Sequence, residues 1–256
     1  MTTKPWRTTQ RLAIGAGFIV ICAALAGLDA SARPRGSTTL KEAKLNIEHN
    51  ATDNDTGFQG AVDSEGWDRL ELTGPRGVIL SFEAKGELGR LGLTELFFES
   101  VEPENIEVPI HTLLADMPAG EYTYRARKMT AGEGLIEAVG TALLSHDIPA
   151  GPVLLSPAPG EVIPSTETIF RWGGVSTTIT GMPVNIIGYQ LIVEKDVEVH
   201  PHRIGKLGLS MYLPPTVTAM PISRDFFEPG TAYKWEVLAI EESGNQTLSS
   251  GEFRTQ

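Results

Sequence analysis

Cysteine is almost absent from this 256-residue chain. The one cysteine, Cys22, lies in an uncharged apolar run near the N-terminus, so the chain cannot close an internal disulfide. Many small secreted domains depend on disulfides for their stability. Here the folded part must instead be stabilised by the burial of apolar side chains in a core.

Positive charge is also scarce. Lys and Arg number 21 against 32 Asp and Glu, which gives a formal net charge of −11. Nucleic acids are bound largely through Lys and Arg, because these residues neutralise phosphates, and anionic lipids attract the same residues. The composition therefore argues against a nucleic-acid partner and against docking on an anionic membrane. It is compatible with divalent cations or with simple solubility.

The apolar run that contains Cys22, Leu12–Leu28, is about as short as a membrane-spanning helix can be, since a bilayer needs roughly 17–25 residues. Lys4, Arg7 and Arg11 precede the run, and Ala-Ser-Ala at 30–32 follows it as a cleavage site. This order predicts a signal peptide over residues 1–32 and export to the periplasm or the cell exterior. The alternative is an uncleaved membrane anchor. If the signal is cleaved, no stable membrane span is expected.

Long stretches of helical periodicity are missing too. Short alternations of apolar and polar residues are instead separated by Gly, Pro, Asn and Asp, a pattern typical of β-sandwiches and barrels. Pro-Ala-Gly-Pro at 149–152 predicts a stiff linker, because proline restricts its own backbone and that of the preceding residue. We therefore expect an all-β chain of two tandem immunoglobulin-like β-sandwich domains, residues 40–148 and 151–256, after the signal peptide.

In the second half, Tyr189–Val193 and Tyr233–Ala239 alternate apolar and polar side chains, which places one face of each strand inward. Other residues of this half complete a pattern: Trp172 on a strand, the Phe-Glu-Pro-Gly-Thr-Ala turn at 227–232, the turn Gly244-Asn245, and the terminal Phe253–Thr255. Together these residues resemble a fibronectin type III domain, over about residues 151–256.

The resemblance implies that Tyr233 occupies a tyrosine corner, in which its hydroxyl bonds to nearby backbone. It also implies a binding module rather than a catalyst. Trp172 and Trp235 are expected in the core rather than on a sugar-stacking surface. Two stretches, Gly173–Gly188 and Val197–Pro215, are longer than in a minimal domain of this kind. We expect them to carry whatever is specific to this domain.

The first half shows similar patterns. Leu45, Ile47 and His49 alternate, so His49 is expected inward or half-buried on a strand. Thr73–Val78 predicts a hairpin turn. Met117–Tyr124 repeats the arrangement around Tyr233, with a Pro and Gly turn followed by Tyr-x-aromatic. We therefore expect a second immunoglobulin-like sandwich here.

The most specific candidate site is the loop Asn50–Gly57, with Asn and Asp at alternate positions before a glycine. Calcium binds six to eight oxygens at about 2.3–2.6 Å, and Asn50, Asp53 and Asp55 are candidate calcium ligands. Further acids that could reach the same ion are Glu95, Glu99, Glu102 and Glu104. The alternative is an ordinary Asx-rich turn, because Asn and Asp side chains bond their own backbone.

Signatures of catalysis are weak. There is no Gly-x-Ser-x-Gly nucleophile turn. His200 and His202 are too few for a transition-metal site, so an exposed loop is expected there. The glycines of Gly86–Gly92 do not fit a phosphate-binding loop, which needs a strand before it and a helix after it, and they predict a loop or bulge.

These observations lead to one main functional hypothesis. The chain is expected to be a secreted or periplasmic, non-catalytic binding or structural module that recognises a protein, a glycan or a cell-envelope component. One alternative is a calcium-stabilised adhesion or matrix protein. The other is a hydrolase with an accessory fibronectin-like domain, whose acid–base residues would come from Asp53, Asp55, Glu95 and Glu99.

Overall fold

The computed structural model describes residues 37–130, 132, 134–164, 168–203 and 205–256. These residues are mostly β-strand, with short helical segments only, which confirms the predicted all-β class. The predicted signal peptide, residues 1–32, and its alternative as a membrane anchor lie outside the described residues. Within the described residues, no helix is both long enough and apolar enough to cross a bilayer.

The first half of the chain contains eight strands and two α-helices within the described residues. In order they are β1 (Ser37–Thr39), β2 (Glu42–Asn50), β3 (Asp55–Trp67), β4 (Arg69–Gly74), β5 (Gly77–Glu83), α1 (Gly86–Leu91), β6 (Leu93–Glu99), α2 (Ile110–Asp116), β7 (Gly120–Thr130) and β8 (Gly134–Leu144). The strands form two sheets. One has the order β1-β8-β7-β4-β5, and the other contains β2, β3 and β6.

The second half contains eight more strands in its described part. They are β9 (Leu154–Ser156), β10 (Glu161–Ile163), β11 (Thr168–Trp172), β12 (Ile186–Lys195), β13 (Gly208–Leu213), β14 (Ala219–Ile222), β15 (Ala232–Glu241) and β16 (Gln246–Thr255), with a 3-10 helix at Arg224–Phe226. A three-stranded sheet of β14, β11 and β9 packs against β13, β12, β15 and β16.

Each half has its own hydrophobic core. The first is built around Trp67, together with Tyr122 and Tyr124 of β7. The second is built around Trp172 and Trp235. All three tryptophans are buried, as expected from their places on alternating strands. The predicted sandwich architecture is therefore confirmed, whereas the division into domains at 40–148 and 151–256 stays a prediction.

The two halves share one sheet. The start of β16 pairs in parallel with the end of β2, through Gln246–Leu248 and Glu48–Asn50, so a single sheet runs β13-β12-β15-β16-β2-β3-β6, with β10 beside β16. His49 and Thr247 are paired and buried. Since paired residues point to the same face, both cores lie on one face of this sheet, which we call the inner face. We call the opposite face the outer face.

Both predicted tyrosine turns are present. The hydroxyl of Tyr233 accepts a hydrogen bond from the Glu228 N–H at 2.8 Å. In the first half, the Tyr122 hydroxyl donates to the Pro118 carbonyl at 2.9 Å. The short sequence echo between the two halves therefore corresponds to the same device, a tyrosine that fixes the turn preceding its own strand.

Two local predictions need correction or refinement. Gly86–Leu91, predicted as a loop or bulge, forms the short helix α1, and Gly89 is required there because a Cβ would lie 2.2 Å from the Ala84 carbonyl oxygen. Gly89 therefore reflects close backbone packing, whereas Gly86 and Gly92 adopt φ angles of 67° and 89°, which glycine tolerates. The irregular stretch Val197–Pro215 contains a complete strand, β13, which forms one edge of the shared sheet. The hairpin turn predicted between β4 and β5 is confirmed.

A candidate binding groove at the junction of the sandwiches

The junction of the two halves carries an open groove with a volume of about 890 Å³. It exists because β2 meets β16 along three residue pairs only, Glu48–Asn50 with Gln246–Leu248. The earlier part of β2, Glu42–Asn46, continues along the groove without β16 beside it. The opposite wall comes from the ends of β12, β13 and β15. We call this feature the junction groove.

Large apolar side chains remain exposed along the junction groove. They come from strands of both halves: Phe97, which is 60% exposed, Leu143, Ile187, and Tyr212, which is 75% exposed. Exposed apolar residues are common when scattered, but a group of them around one concave surface indicates an interaction site. Phe97 and Tyr212 lie on opposite halves, so the groove depends on the arrangement of both sandwiches.

A polar network on the inner face holds this arrangement. Asn245 is fully buried, and its Oδ1 accepts from the Ile47 N–H at 2.8 Å. Its Nδ2 donates to Ser145 and to the Asp147 carbonyl, so one side chain connects β2, the end of β8 and β16. Thr247 adds a bond from its hydroxyl to the Pro149 carbonyl at 2.6 Å. Such satisfied buried groups fix geometry, and the predicted linker is therefore tied to the sheet.

Three carboxylates converge on the outer face, on the other side of the same junction. Glu48, Glu99 and Glu102 place carboxylate oxygens within 4.8 Å of one another. We call them the carboxylate cluster. Glu48 is only 9% exposed. Burial raises the pKa of Glu102 to about 7, with further contributions from the negative charges of Glu48 and Glu99. Burial likewise raises the pKa of Glu48.

The local sequence explains why the carboxylates meet. β2 pairs with β3, and β3 pairs with β6, in a register that puts Gln59 opposite Glu99. Gly57 leaves space on the outer face, since a Cβ there would lie 2.6 Å from Cγ of Glu102. Two amides supply the hydrogen bonds: Gln59 donates to Glu99 at 2.8 Å, and Gln246 donates to Glu48.

These amides also connect the cluster with the junction groove. Gln59 and Gln246 both line the groove, and Gln246 donates to the Gln59 side-chain oxygen at 3.0 Å. The cluster therefore lies one hydrogen bond beyond the groove. Among the described residues, no Lys or Arg forms a salt bridge with any of the three carboxylates. The arrangement can accept a cation or a proton, because crowded carboxylates repel one another.

The predicted calcium loop forms a turn at the end of β2. Oδ1 of Asn50 accepts from the backbone N–H groups of Thr52 and Asp53, and its Nδ2 donates to Oδ2 of Asp53. These bonds are those of an Asx-rich turn. Asp55 differs, because its Oδ1 is buried without a hydrogen-bond partner within the described structure. Burial, together with the charge of Asp53, raises the pKa of Asp55.

The other predicted acids fall in different places. Glu104 forms an isolated bridge with Asp55, so it lies beside the loop. Glu99 and Glu102 belong to the carboxylate cluster. Glu95 pairs with Asp63 further along β6, away from both groups. The set of Asp53, Asp55, Glu95 and Glu99 proposed for a hydrolase is therefore divided between separate positions.

His49 and the histidine pair occupy the environments that the sequence indicated. His49 is buried, and its Nδ1 lies 2.9 Å from the Asp55 carbonyl and 3.0 Å from the Thr56 hydroxyl. Burial lowers the pKa of His49. His200 and His202 lie in an exposed turn, with ring centroids 5.7 Å apart.

Two features could not be read from the sequence. Glu48 is one polar residue between two buried ones on β2, and its hydrogen-bond partner Gln246 lies 198 positions away in the sequence. The junction groove was missed because it depends on the pairing of β2 with β16. The alternation on β2 indicates the face of Glu48, which is opposite to that of Ile47, but it does not indicate which residues lie beside Glu48.

Comparison with known proteins gives fibronectin type III segments among solved structures. The FN1-FN3 domains of chicken CNTN1 match with 11% identity and a TM-score of 0.31, over 86% of this chain and 65% of that chain. A two-domain fibronectin type III segment of chicken tenascin matches with 11% identity and a TM-score of 0.30, over 84% of this chain and 99% of that one. No protein-family model and no curated protein matches the sequence.

Proposed function

We propose that this protein is an exported, non-catalytic binding module that recognises a protein, glycan or cell-envelope partner through the junction groove. The observation that carries the proposal is the groove itself, with Phe97 and Tyr212 exposed on opposite walls. Aromatic side chains at the centre of an interface commonly supply much of its binding free energy. The predicted signal peptide supports an address outside the cytoplasm.

The polar lining of the groove also favours recognition over chemistry. Its acidic and basic side chains are Glu42, Lys44 and Glu242. Lys44 forms an ion pair with Glu42 at 2.6 Å, and Glu242 accepts from the Asn185 amide at 3.0 Å. Side chains that are paired with each other at an exposed surface are suited to setting specificity at the rim of an interface.

A capture experiment tests the groove. The full chain would be immobilised and exposed to cell-envelope extract, and the bound material would be compared between the wild type, Phe97→Ser and Tyr212→Ser. Removal of a central aromatic costs about 2 kcal/mol, so each variant is expected to lose most of the captured partner. Met129→Ser is the matched control, because Met129 is equally exposed but does not line the groove. Equal capture by all four chains would contradict the proposal.

Calcium binding at the Asp53–Asp55 loop is the second candidate, and a calcium-stabilised adhesion or matrix role would follow from it. The buried Oδ1 of Asp55 favours it, since this oxygen has no hydrogen-bond donor among the described residues and can coordinate a cation. Asn50 and Asp53 supply further oxygens nearby, although their side chains already bond one another. Calcium prefers such hard oxygen ligands.

Thermal unfolding with and without calcium tests this candidate. A ligand that binds only the native state stabilises it by about 2.7 kcal/mol at a concentration of 100 Kd. The wild type is expected to gain stability in calcium, and the double variant Asp53→Asn, Asp55→Asn is expected to gain none. Asp116→Asn, an exposed change at the end of α2, should behave as the wild type. An unchanged melting temperature of the wild type in calcium would exclude the site.

A further inference from the structure

In the described part of the chain, the edge of β2 that lines the junction groove has no hydrogen-bonded strand partner before β16. Five consecutive residues, Glu42–Asn46, line the groove, so β2 presents its edge there as well as one face. On its other edge, β2 is paired with β3 along its whole length. Within the described residues, the first strand partner on the groove side is β16, which begins opposite Glu48.

Hydrogen bonds further along β2 show which backbone amides face the groove. The amides of Ile47 and Ala51 point toward the β16 side, because Ile47 N–H donates to Asn245 and Ala51 N–H donates to the Leu248 carbonyl. Backbone groups of alternate residues share an edge in a β-strand. The amides of Ala43 and Leu45 therefore point into the groove, where an added strand would reach them.

The charges around this edge define the kind of strand that fits. The carboxylate cluster lies beyond Gln246, and within the described residues none of its members has a basic partner. Lys44, the one basic side chain in the groove lining, is already paired with Glu42. A ligand carrying its own positive charge is complementary to this surface.

We propose that the junction groove binds an extended peptide segment that adds a strand to the open edge of β2 and directs a basic side chain to the carboxylate cluster. This inference rests on the proposed function, because it names the partner class of the same groove. Main-chain hydrogen bonds to β2 supply the affinity in this binding mode, and the side chains supply the specificity. Phe97 and Tyr212 offer apolar contacts for the remaining side chains.

The dimensions are consistent with a short segment. Glu48 is five steps along the strand from Ala43, which corresponds to about 17 Å at about 3.3 Å per residue. A peptide of about seven residues therefore spans the open edge, and a Lys or Arg side chain near its end reaches past Gln246 to the carboxylates. Pairing on this edge ends before Ile47, because the Ile47 N–H already donates to Asn245 and β16 occupies the edge from Glu48 onward.

Defined peptides test the inference with the full chain. The probe is a fluorescein-labelled heptapeptide of alternating Val and Lys, and its binding is measured by fluorescence polarisation. Two matched probes replace Lys by Gln or by Glu. The Lys probe is expected to bind at least about tenfold more tightly than the Gln probe, and the Glu probe should not bind, because like charges meet at the cluster. Equal affinities, or no binding of the Lys probe at millimolar concentration, would overturn the inference.

Two further changes distinguish binding through main-chain hydrogen bonds from binding through charge attraction alone. N-methylation of all backbone amides removes the main-chain donors of the Lys probe on both edges without altering the protein, and should abolish binding. In the protein, Ala43→Pro removes one groove-facing amide but leaves the ladder with β3, whereas Ala43→Ser keeps the amide and serves as the control. Ala43→Pro is expected to weaken binding of the Lys and Gln probes at least about tenfold, and Ala43→Ser should leave both unchanged. Full binding by the N-methylated probe would refute strand addition.

The role of the carboxylates has its own readout. The double variant Glu99→Gln, Glu102→Gln should bind the Lys and Gln probes equally. Calcium chloride at 1 mM, compared with sodium chloride of equal ionic strength, distinguishes a metal from a basic side chain. Specific displacement of the Lys probe by calcium would assign the cluster to a metal and overturn the assignment. If groove variants abolish capture of an envelope partner while no probe binds, the proposed function stands and only the peptide inference fails.

Discussion

Asn245 and Glu48 lie on opposite faces of the same junction, and their surroundings differ. Asn245 is buried with donors and acceptors matched to both halves of the chain. Glu48 is nearly as buried, but its neighbours on the outer face include two further carboxylates. The inner face therefore stabilises the fold, whereas the outer face retains unfavourable electrostatic free energy.

The hydrogen-bond donors around each buried carboxylate distinguish the polar groups that stabilise the fold. Glu241, fully buried on the inner face, accepts from the backbone N–H groups of Ser243 and Asn245 at 2.8 and 3.1 Å. The fold supplies that carboxylate with backbone donors, whereas the donors described around Glu48 are side-chain amides, chiefly that of Gln246. Residues that break local rules without compensation are expected at functional positions. The outer face of the junction is therefore the better place to look for a ligand.

Loss of the Asn245 side chain is expected to lower the free energy of unfolding most, and it tests whether the inner face stabilises the fold. Asn245→Ala leaves the Ile47 N–H and the groups of Ser145 unsatisfied in a buried position, so the free energy of unfolding should fall by about 3 kcal/mol. Asn185→Ala removes an exposed amide with one bond and should cost less than about 0.5 kcal/mol. Chemical denaturation measures both. Similar losses in the two variants would remove the distinction between the inner face and an ordinary surface.

A Glu→Gln substitution should change the free energy of unfolding in opposite directions on the two faces. Glu241→Gln replaces one of the two accepting oxygens by an NH2 donor, so one of the two backbone amides loses its acceptor, and the change is expected to destabilise by about 2 kcal/mol. Glu48→Gln relieves a crowded charge whose pKa is raised by burial, and it is expected to increase stability at pH 8. The denaturation midpoints of the wild type and of both variants, measured at pH 8, test this expectation. Destabilisation by Glu48→Gln would show that the outer carboxylates also support the fold.

The sequence predicted the scaffold better than the junction. Tyr233 and Trp235 were placed correctly, because alternation and turn residues are local patterns that survive in the fold. The pairing of β2 with β16 joins segments nearly two hundred residues apart, and no local pattern encodes it. Glu102 illustrates the consequence. It was recognised as one of several acids, but its place beside Glu48 depends on two strand pairings and on the missing side chain of Gly57.

A smaller effect is expected at Thr247, on the inner face. Thr247→Val keeps the shape but loses the hydroxyl that donates to the Pro149 carbonyl at 2.6 Å, and should cost about 1 kcal/mol. Thr247→Ser keeps the hydroxyl and removes only a methyl group, so it separates the hydrogen bond from packing. Amide hydrogen exchange at Ala150 and Gly151, the two residues of the linker that carry a backbone N–H, should increase in the Val variant more than in the Ser variant. Equal exchange in both would show that packing, not this bond, fixes the linker.

The smallest effect is a pH dependence on the outer face. The pKa of Glu102 is raised from 4.5 to about 7 in the folded chain, so its protonated form is favoured by folding. Its contribution is therefore complete below about pH 4.5 and is lost as the pH rises toward 7. Solvent screens this partly exposed group, so we expect a difference of about 2 °C in melting temperature between pH 5 and pH 8, relative to Glu102→Gln.

Glu95→Gln is the matched control for this measurement, since Glu95 lies on the outer face of the same sheet but outside the carboxylate cluster. His49 acts in the opposite direction, because burial lowers its pKa and folding favours its neutral form. It is present in all three chains, so the difference between them isolates the carboxylate. A pH profile of Glu102→Gln that superimposes on the wild type would show that the outer carboxylates are as well accommodated as Glu241. The contrast between the two faces would then be lost.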